Sequence, residues 1–332
     1  MGTNTLPDLF KAFNDYRILV IGDVMVDSYL WGEVTRISPE APVPILSKSA
    51  RENRLGGAAN VALNLQAMGA IPILCSVLGD DANGLLFSQL LQQNQLTDKG
   101  ILASSHRVTT VKTRIISQNH HLLRVDDEDT TPIAPSEEVQ LINHIQQLLS
   151  EGHIHAIIFE DYDKGVITPT IINQVVEIAQ QKGIPTLVDP KKRNFSHYHH
   201  VSFFKPNFKE FKEGRKLDID KNNKTQLVAE AQLFLKETGI QILMITLAEH
   251  GVFICTNNQH EFFPAHVRNI ADVSGAGDTV ISVSALCLAA GLPLADIAQI
   301  ANMAGGLVCE KPGVVPIDKE VLLSECQSRL TR

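Results

Sequence analysis

Short, wholly apolar runs alternate with longer amphipathic stretches along most of the chain. Arg17-Ile-Leu-Val-Ile-Gly22 has no polar break and ends in glycine, which predicts a strand buried on both faces. Residues 72–78, 156–159, 185–188, 201–204 and 241–245 read the same way. Between these runs apolar positions recur at helical spacing over 82–93, 137–150, 168–181 and 227–237, and a short helix begins at 207–212. Residues 251–256 and 261–265 predict a hairpin, followed by helices over 275–290 and 294–309. Strands of this kind alternating with helices predict an α/β fold with a mostly parallel sheet covered on both faces. No internal repeat or low-complexity linker interrupts it, so the 332 residues read as a single domain over 1–332.

Two stretches break the alternation. From about 28 to 49, strand-like segments around Tyr29-Leu-Trp-Gly and Val43-Pro-Ile-Leu are punctuated by Pro39, Pro42 and Pro44, which suit an edge. From about 106 to 126, Arg107–Ile116 and Leu122–Val125 are extended around a turn at Asn119-His120. These patches predict a small sheet outside the main core, suited to a lid or a dimer surface.

Polar residues gather where strands end. Asp23 and Asp27 follow the first run, and either carboxylate suits sugar hydroxyls. Glu160 and Asp161, Asp189 and Lys191, Asn207 and Glu210, and Thr246 close the others, at the sheet edge where α/β proteins bind ligands. Two glycine-rich loops precede helices. In Leu55-Gly-Gly-Ala-Ala-Asn-Val-Ala62, Gly56 and Gly57 permit close backbone approach to a ligand, and Asn60 offers a donor and an acceptor. In Asp272-Val-Ser-Gly-Ala-Gly-Asp-Thr279, small residues open an apolar helix whose first N–H groups suit an anion. Asp278 then stands where a carboxylate meets a substrate hydroxyl, although the pattern equally fits an aspartate that only caps a helix.

Composition narrows the reading. Apolar residues make up 44% and charged residues 20%, ordinary for a globular chain, and a net charge of −8 argues against sequence-independent nucleic-acid binding. The five cysteines are scattered without a CxxC, which predicts buried thiols in a reducing compartment. No signal-peptide core opens the chain and no apolar run reaches the roughly 18 residues of a membrane helix, so a cytoplasmic location is expected. The sequence lacks GxxxxGK[ST], a GxGxxG after the first strand, HExxH, GxSxG and zinc-type spacing. The histidines at 119–121, 153–155 and 197–200 lack matching carboxylates or helical spacing and read as exposed structural residues.

Together, the loops at 56–62 and 272–279 resemble the two signatures of the PfkB, or ribokinase-like, sugar kinases. The resemblance runs from Arg17 to Val321. It implies a three-layer ribokinase-like sandwich with a β-sheet lid, and ATP-dependent phosphorylation of a sugar hydroxyl with Mg²⁺. A narrower resemblance, to the kinase half of the bacterial heptose kinase/adenylyltransferases, rests on Ile21-Gly-Asp-Val-Met-Val-Asp-Ser-Tyr-Leu-Trp-Gly32, Thr35–Pro44, Leu122–Asp126, Asp161–Val166 and Val188–Lys191. It implies phosphorylation of D-glycero-D-manno-heptose 7-phosphate at O1, toward the ADP-heptose of lipopolysaccharide cores. With no HxGH in the chain, a separate adenylyltransferase is expected in the same pathway.

By that resemblance Asp278 is the base, and Gly275, Ala276 and Gly277 donate N–H bonds to the transferring phosphoryl group. Asp27, Gly56, Gly57 and Asn60 orient the sugar. The residues themselves, apart from the resemblance, suggest that Arg124, Lys191, Arg36, Lys192 and Arg193 grip a substrate phosphate, although a solvated basic turn fits them equally. Asn207 and Glu210 organise the ATP phosphates and the Mg²⁺ water network. Thr246 and Gly251 line the nucleotide loop, Asn302 lies near the adenine, and Asp272 and Ser274 fall at a monovalent cation (K⁺) site. A homodimer through the lid is expected because an open sheet edge tends to be covered. The chain departs from the pattern at Ala248, where glycine is usual, at Glu160, where serine is usual, and at Lys192 and Arg193 after Asp189-Pro-Lys. A methyl at Ala248 is expected to crowd the phosphates. The rival readings are a kinase for another sugar, sugar phosphate or nucleoside, and a non-catalytic sugar-binding regulator on the same scaffold.

Overall fold

The computed structural model describes residues 5–118 and 120–330; the Asn119 half of the expected turn lies outside the described residues. In chain order the strands are β1 (Arg17–Gly22), β2 (Val24–Ile37), β3 (Pro44–Gly57), β4 (Ile71–Gly79), β5 (Gly100–Ser104), β6 (Val111–Ser117), β7 (His120–Asp127), β8 (Ala156–Glu160), β9 (Thr186–Asp189), β10 (Phe203–Phe204), β11 (Ile242–Thr246), β12 (Val252–Cys255) and β13 (His260–Phe263). The helices are α1 (Leu6–Ala12), α2 (Ala58–Ala67), α3 (Ala82–Gln93), α4 (Pro135–Ser150), α5 (Pro169–Lys182), α6 (Phe208–Gly214), α7 (Lys224–Thr238), α8 (Ala276–Ala289), α9 (Leu294–Cys309) and α10 (Lys319–Arg329).

Among the described residues the strands form two sheets. The larger has nine strands in the order β13-β12-β11-β10-β9-β8-β1-β4-β5, parallel except for the β11-β12-β13 meander that contains the expected hairpin. Side chains alternate across β1: Ile18 and Val20 pack with α2, α8 and α9, while Leu19 and Ile21 pack with α4 and α5. Three layers follow from that alternation. Local chemistry fixes the helix ends, as in α5, where Thr168 accepts from Ile171 N at 3.3 Å, Pro169 opens the helix and Gly183 closes it at φ 65°.

The smaller sheet, ordered β3-β2-β6-β7, is longer than the two patches predicted. β2 starts at Val24, so Asp27 lies inside the smaller sheet rather than at the end of β1. β3 runs through to Gly57, so Gly56 and Gly57 end a strand rather than forming a loop. Tight backbone approach explains both glycines: a Cβ on Gly56 would lie 2.2 Å from Asp27 Oδ2, and Gly57 has φ 62°. The prolines suit their places, since β3, which starts at Pro44, is an edge. Three elements went unpredicted: α1, the edge strand β5 and the largely polar α10.

One residue separates β1 from β2, and it corrects an expectation. Asp23 carries no free carboxylate for a sugar. Its Oδ2 accepts N–H bonds from Tyr162 (2.8 Å) and Lys164 (3.0 Å), and its Oδ1 accepts one from Val166 (2.9 Å). The loop after β8 would otherwise bury those donors without partners. The Asp23 carbonyl also accepts from Ala58 N at 2.9 Å, tying the start of α2 to the same point. Stranding buried donors costs about 1–3 kcal/mol each. Asp23→Ala should therefore lower unfolding free energy by about 3 kcal/mol or more in a urea titration; a loss below about 1 kcal/mol would remove Asp23 from this role.

Candidate active site

The carboxyl ends of β8 and β9, and Lys205 just after β10, face the start of α8. Gly275 takes φ 79° and α8 begins at Ala276. Thr279 N makes a bond to Gly275 O at 3.0 Å, so the N–H groups of Gly277 and Asp278 precede the helical ladder. Ala276 N turns back to Val273 O at 3.3 Å, which sets it apart from the three-donor cradle expected at 275–277. A Cβ on Gly277 would stand 3.5 Å from Asp189 Oδ2 and 3.6 Å from Lys205 Nζ, so that ion pair lies directly across from the helix start.

Asp278 is 6% exposed. Asn60 Nδ2 donates to its Oδ2 at 2.6 Å and the Tyr162 hydroxyl donates to its Oδ1 at 2.8 Å. Burial raises its pKa to about 6; these two hydrogen bonds oppose the rise, Asp189 adds to it and Lys205 opposes it. The carboxylate is thus oriented by side chains from α2 and the β8 loop, which is more than capping a helix requires. Helix α2 positions Asn60, and Asn64 one turn on accepts from Thr279 Oγ1 at 3.0 Å, locking α2 to α8.

Around Asp278 lie four further charges. Glu160 is wholly buried, and neither of its carboxylate oxygens has a hydrogen-bond partner among the described residues. Burial first, then the nearby Asp189 and Asp278, push its pKa well up. Asp189 Oδ2 accepts from Lys205 Nζ at 2.8 Å, whereas its buried Oδ1 lacks a hydrogen-bond partner. Lys191 Nζ lies 2.6 Å from Glu210 Oε1 and 3.7 Å from Asp189 Oδ1. Burial works against the charge on both lysines, but the neighbouring acids, Asp189 first, hold both pKa values above ordinary. One oxygen each from Glu160, Asp189 and Asp278 lie within 4.8 Å of one another, a donor set of hard oxygens suited to Mg²⁺.

The expected nucleotide residues also come together. Asn207 and Glu210 form a reciprocal cap on α6: Glu210 N donates to Asn207 Oδ1 at 2.9 Å and Asn207 N donates to Glu210 Oε2 at 2.8 Å. Asn207 bridges to Thr246 at the end of β11. Gly251 has φ 88°, and a Cβ there would meet Phe263 O at 2.0 Å. Ala248 has φ 52°, so the residue that departs from glycine bears a left-handed backbone. The structure locates the usual glycine's purpose in that backbone; the crowding of phosphates expected from the methyl is not needed to explain it. Asn302 Nδ2, on α9, donates to Pro264 O at 2.9 Å. Asp272 accepts from Ser274 N (2.9 Å) and Gly313 N (3.1 Å); burial opposes these bonds, yet its pKa falls below the ordinary value.

In the smaller sheet, Asp27 pairs with Arg114 at 2.5 Å, and Arg124 is held by two bonds to Asp126. Arg193 reaches Thr130 O at 2.5 Å, and Arg36 lies near the far end of β2. Sequence reading gave no role to Tyr162 or Lys205. The signal for Lys205 was a charge directly after the apolar Phe203-Phe204. Tyr162 stood inside a quoted motif, with nothing to show that its hydroxyl reaches 116 residues ahead.

The model for "pfkB family carbohydrate kinase" matches residues 15–320. The chain belongs to the pfkB family of carbohydrate kinases. As a pfkB kinase it is a phosphotransferase with an alcohol acceptor. It is similar to the "Bifunctional protein HldE" of Syntrophotalea carbinolica, 35% identical over 323 residues, covering 97% of this chain and 65% of that protein. It is also similar to that of Wolinella succinogenes, 40% identical over 296 residues, covering 89% and 61%. This pfkB chain therefore spans just under two thirds of the curated relatives it matches. Its fold is similar to Escherichia coli phosphofructokinase-2 in complex with potassium (TM-score 0.75, 17% identity, covering 94% of this chain and 99% of that one). Arabidopsis thaliana ribokinase complexed with ribose and ATP gives a TM-score of 0.71 at 16% identity, covering 93% and 99%. Among the described residues no helix is long and apolar enough to cross a membrane.

A pKa near 6 for Asp278 has a kinetic consequence. A base must be ionised, so kcat/KM should fall as pH drops through about 6 and stay level above it. A pH–rate profile measures this; an acid limb near the ordinary aspartate value of about 4 would contradict the burial argument.

Proposed function

We propose that this kinase transfers the γ-phosphoryl group of ATP to O1 of D-glycero-β-D-manno-heptose 7-phosphate. The observation that carries the chemistry is Asp278, buried at the start of α8 and oriented by Asn60 and Tyr162. The substrate reading rests on the match of 89–97% of the chain to the HldE proteins and on the heptose-kinase motifs in the sequence.

Asp278 takes the O1 proton as the oxygen attacks, and Asn60 and Tyr162 hold the carboxylate in line. The N–H groups of Gly277 and Asp278 lie beside the transferring phosphoryl group, with Gly275 and Ala276 shaping the turn. Lys205 and Lys191 supply fixed positive charge across from them. Asp27, Gly56, Gly57 and Asn60 orient the sugar, whose phosphate lies toward the cations of the smaller sheet. Asn207, Glu210, Thr246, Gly251 and Asn302 line the nucleotide. Mg²⁺ would be held through phosphates and water near Glu210, with the unpartnered oxygens of Glu160 and Asp189 facing it, and would neutralise phosphate charge when bound. Asp272 and Ser274 would serve a monovalent cation. The smaller sheet closes as a lid over the sugar. Its outer face exposes Leu123 (59%) and Val125 (43%), which supports a homodimer there. The free, buried cysteines support a reducing, cytoplasmic setting, and an adenylyltransferase acts later in the same pathway.

Two measurements test the reading. With ATP and a panel of sugars and sugar phosphates, heptose 7-phosphate should give the highest kcat/KM; preference for an unphosphorylated sugar defeats the assignment. Asp278→Asn should lower kcat by roughly four orders of magnitude while ATP still binds; a variant with near-normal turnover would show that Asp278 is not the base.

A further inference from the structure

We propose that Arg54 and Arg114, which bracket Tyr29 on the inner face of the smaller sheet, form the seat for the phosphate the substrate already carries. The inference rests on the sugar-phosphate reading above and identifies the residues behind that specificity.

Strand parity sets out the face. Alternate residues of β2 share a side, and residues directly opposite on neighbouring strands share it too. Asp27 stands opposite Arg54 and Lys112; Tyr29 stands opposite Glu52 and Arg114; Arg114 stands opposite Arg124, and Lys112 opposite Asp126. Four cations thus lie on the Asp27 side of the sheet. Arg51 has the opposite parity and donates to Ser28 Oγ on the other side.

The four cations are not equivalent. Lys112 is held between Asp126 and Glu128, each at 3.1 Å, and Arg124 is held by both oxygens of Asp126. Arg54 gives only Nε to Glu52 (2.6 Å), and Arg114 gives only Nη1 to Asp27 (2.5 Å). Among the described residues their remaining guanidinium nitrogens make no hydrogen bond. Both guanidiniums sit against one ring, 4.9 and 5.3 Å from the Tyr29 centroid, so a single rigid aromatic holds a fork from the strand on either side of it. Planar forks with free parallel N–H groups are the geometry that grips a phosphate dianion.

Their position fits a substrate bound between the sheet and Asp278. A Cβ on Gly313 would lie 3.1 Å from Arg54 Nη1, and a Cβ on Gly275 would lie 3.0 Å from both Val314 Cγ1 and Asn60 Nδ2. The 313–314 turn therefore separates Arg54 from the loop that opens α8. Asp27, for the sugar hydroxyls, touches Gly56 beside the same seat. A sugar phosphate would span this distance with its reacting hydroxyl at Asp278 and its phosphate at the two arginines.

The test compares heptose 7-phosphate with the dephosphorylated heptose, by steady-state kinetics and by titration calorimetry on the purified chain. Wild type should favour the phosphate by about a hundredfold or more in kcat/KM. Arg54→Ala should raise KM for the phosphate at least about tenfold, hold kcat within about threefold and leave the dephosphorylated sugar unchanged. Arg114→Lys, which keeps a charge beside Asp27, should act in the same direction, and Arg51→Ala should match wild type. Equal losses on both sugars would overturn the seat, since they would place Arg54 on the nucleotide or in the fold. A preference that survives in both variants would overturn the seat while leaving the sugar-phosphate reading intact. A wild type indifferent to the phosphate would remove both, leaving only kinase chemistry.

Discussion

Everything in this site depends on taking the Asp278 carboxylate out of water while keeping it ionisable. Asp278 is buried among Glu160, Asp189, Lys191 and Lys205, and removal from solvent lifts its pKa to about 6. A raised pKa strengthens a carboxylate as a proton acceptor, while the neutral acid accepts none. The lysines moderate the repulsion between the carboxylates, and the hydrogen bonds from Asn60 and Tyr162 keep Asp278 ionisable. The fold supplies this setting because the parallel strands β8, β9 and β10 end beside the start of α8.

Much of that was visible in the chain itself. Apolar runs and helical spacing gave the alternation, and charges at strand ends gave the edge on which the site lies. The limits of the reading have physical causes. Asp23 and Asp27 look alike in sequence, yet one serves three buried N–H groups and the other pairs with Arg114. Only the path of the loop after β8 separates them. Tyr162 and Lys205 act across long chain separations, which no local pattern records. The edge strand β5 is short and α10 has a weak apolar face, so neither carried a strong periodic signal.

Two departures from the family pattern acquire different meanings in three dimensions. Ala248 bears a positive φ that glycine would adopt without steric cost, so its consequence lies in the backbone of the nucleotide loop. Glu160 places a third acid inside the cluster where serine is usual, with both oxygens unmatched among the described residues. Such a group is costly to bury alone, and its neighbours Asp189 and Asp278 make it more so.

Two strands of the smaller sheet meet the body at a common joint. β2 leaves through Asp23 and β3 returns through Gly57, and the Asp23 carbonyl binds the first amide of α2. Both strands are 14 residues long, so the sheet extends up to roughly 45 Å from that joint. Asp27 sits near that joint and the strand tips lie far from it. A rigid rotation about the joint would displace the tips several times further than Asp27, so motion at the tips would reach Asp27 geared down.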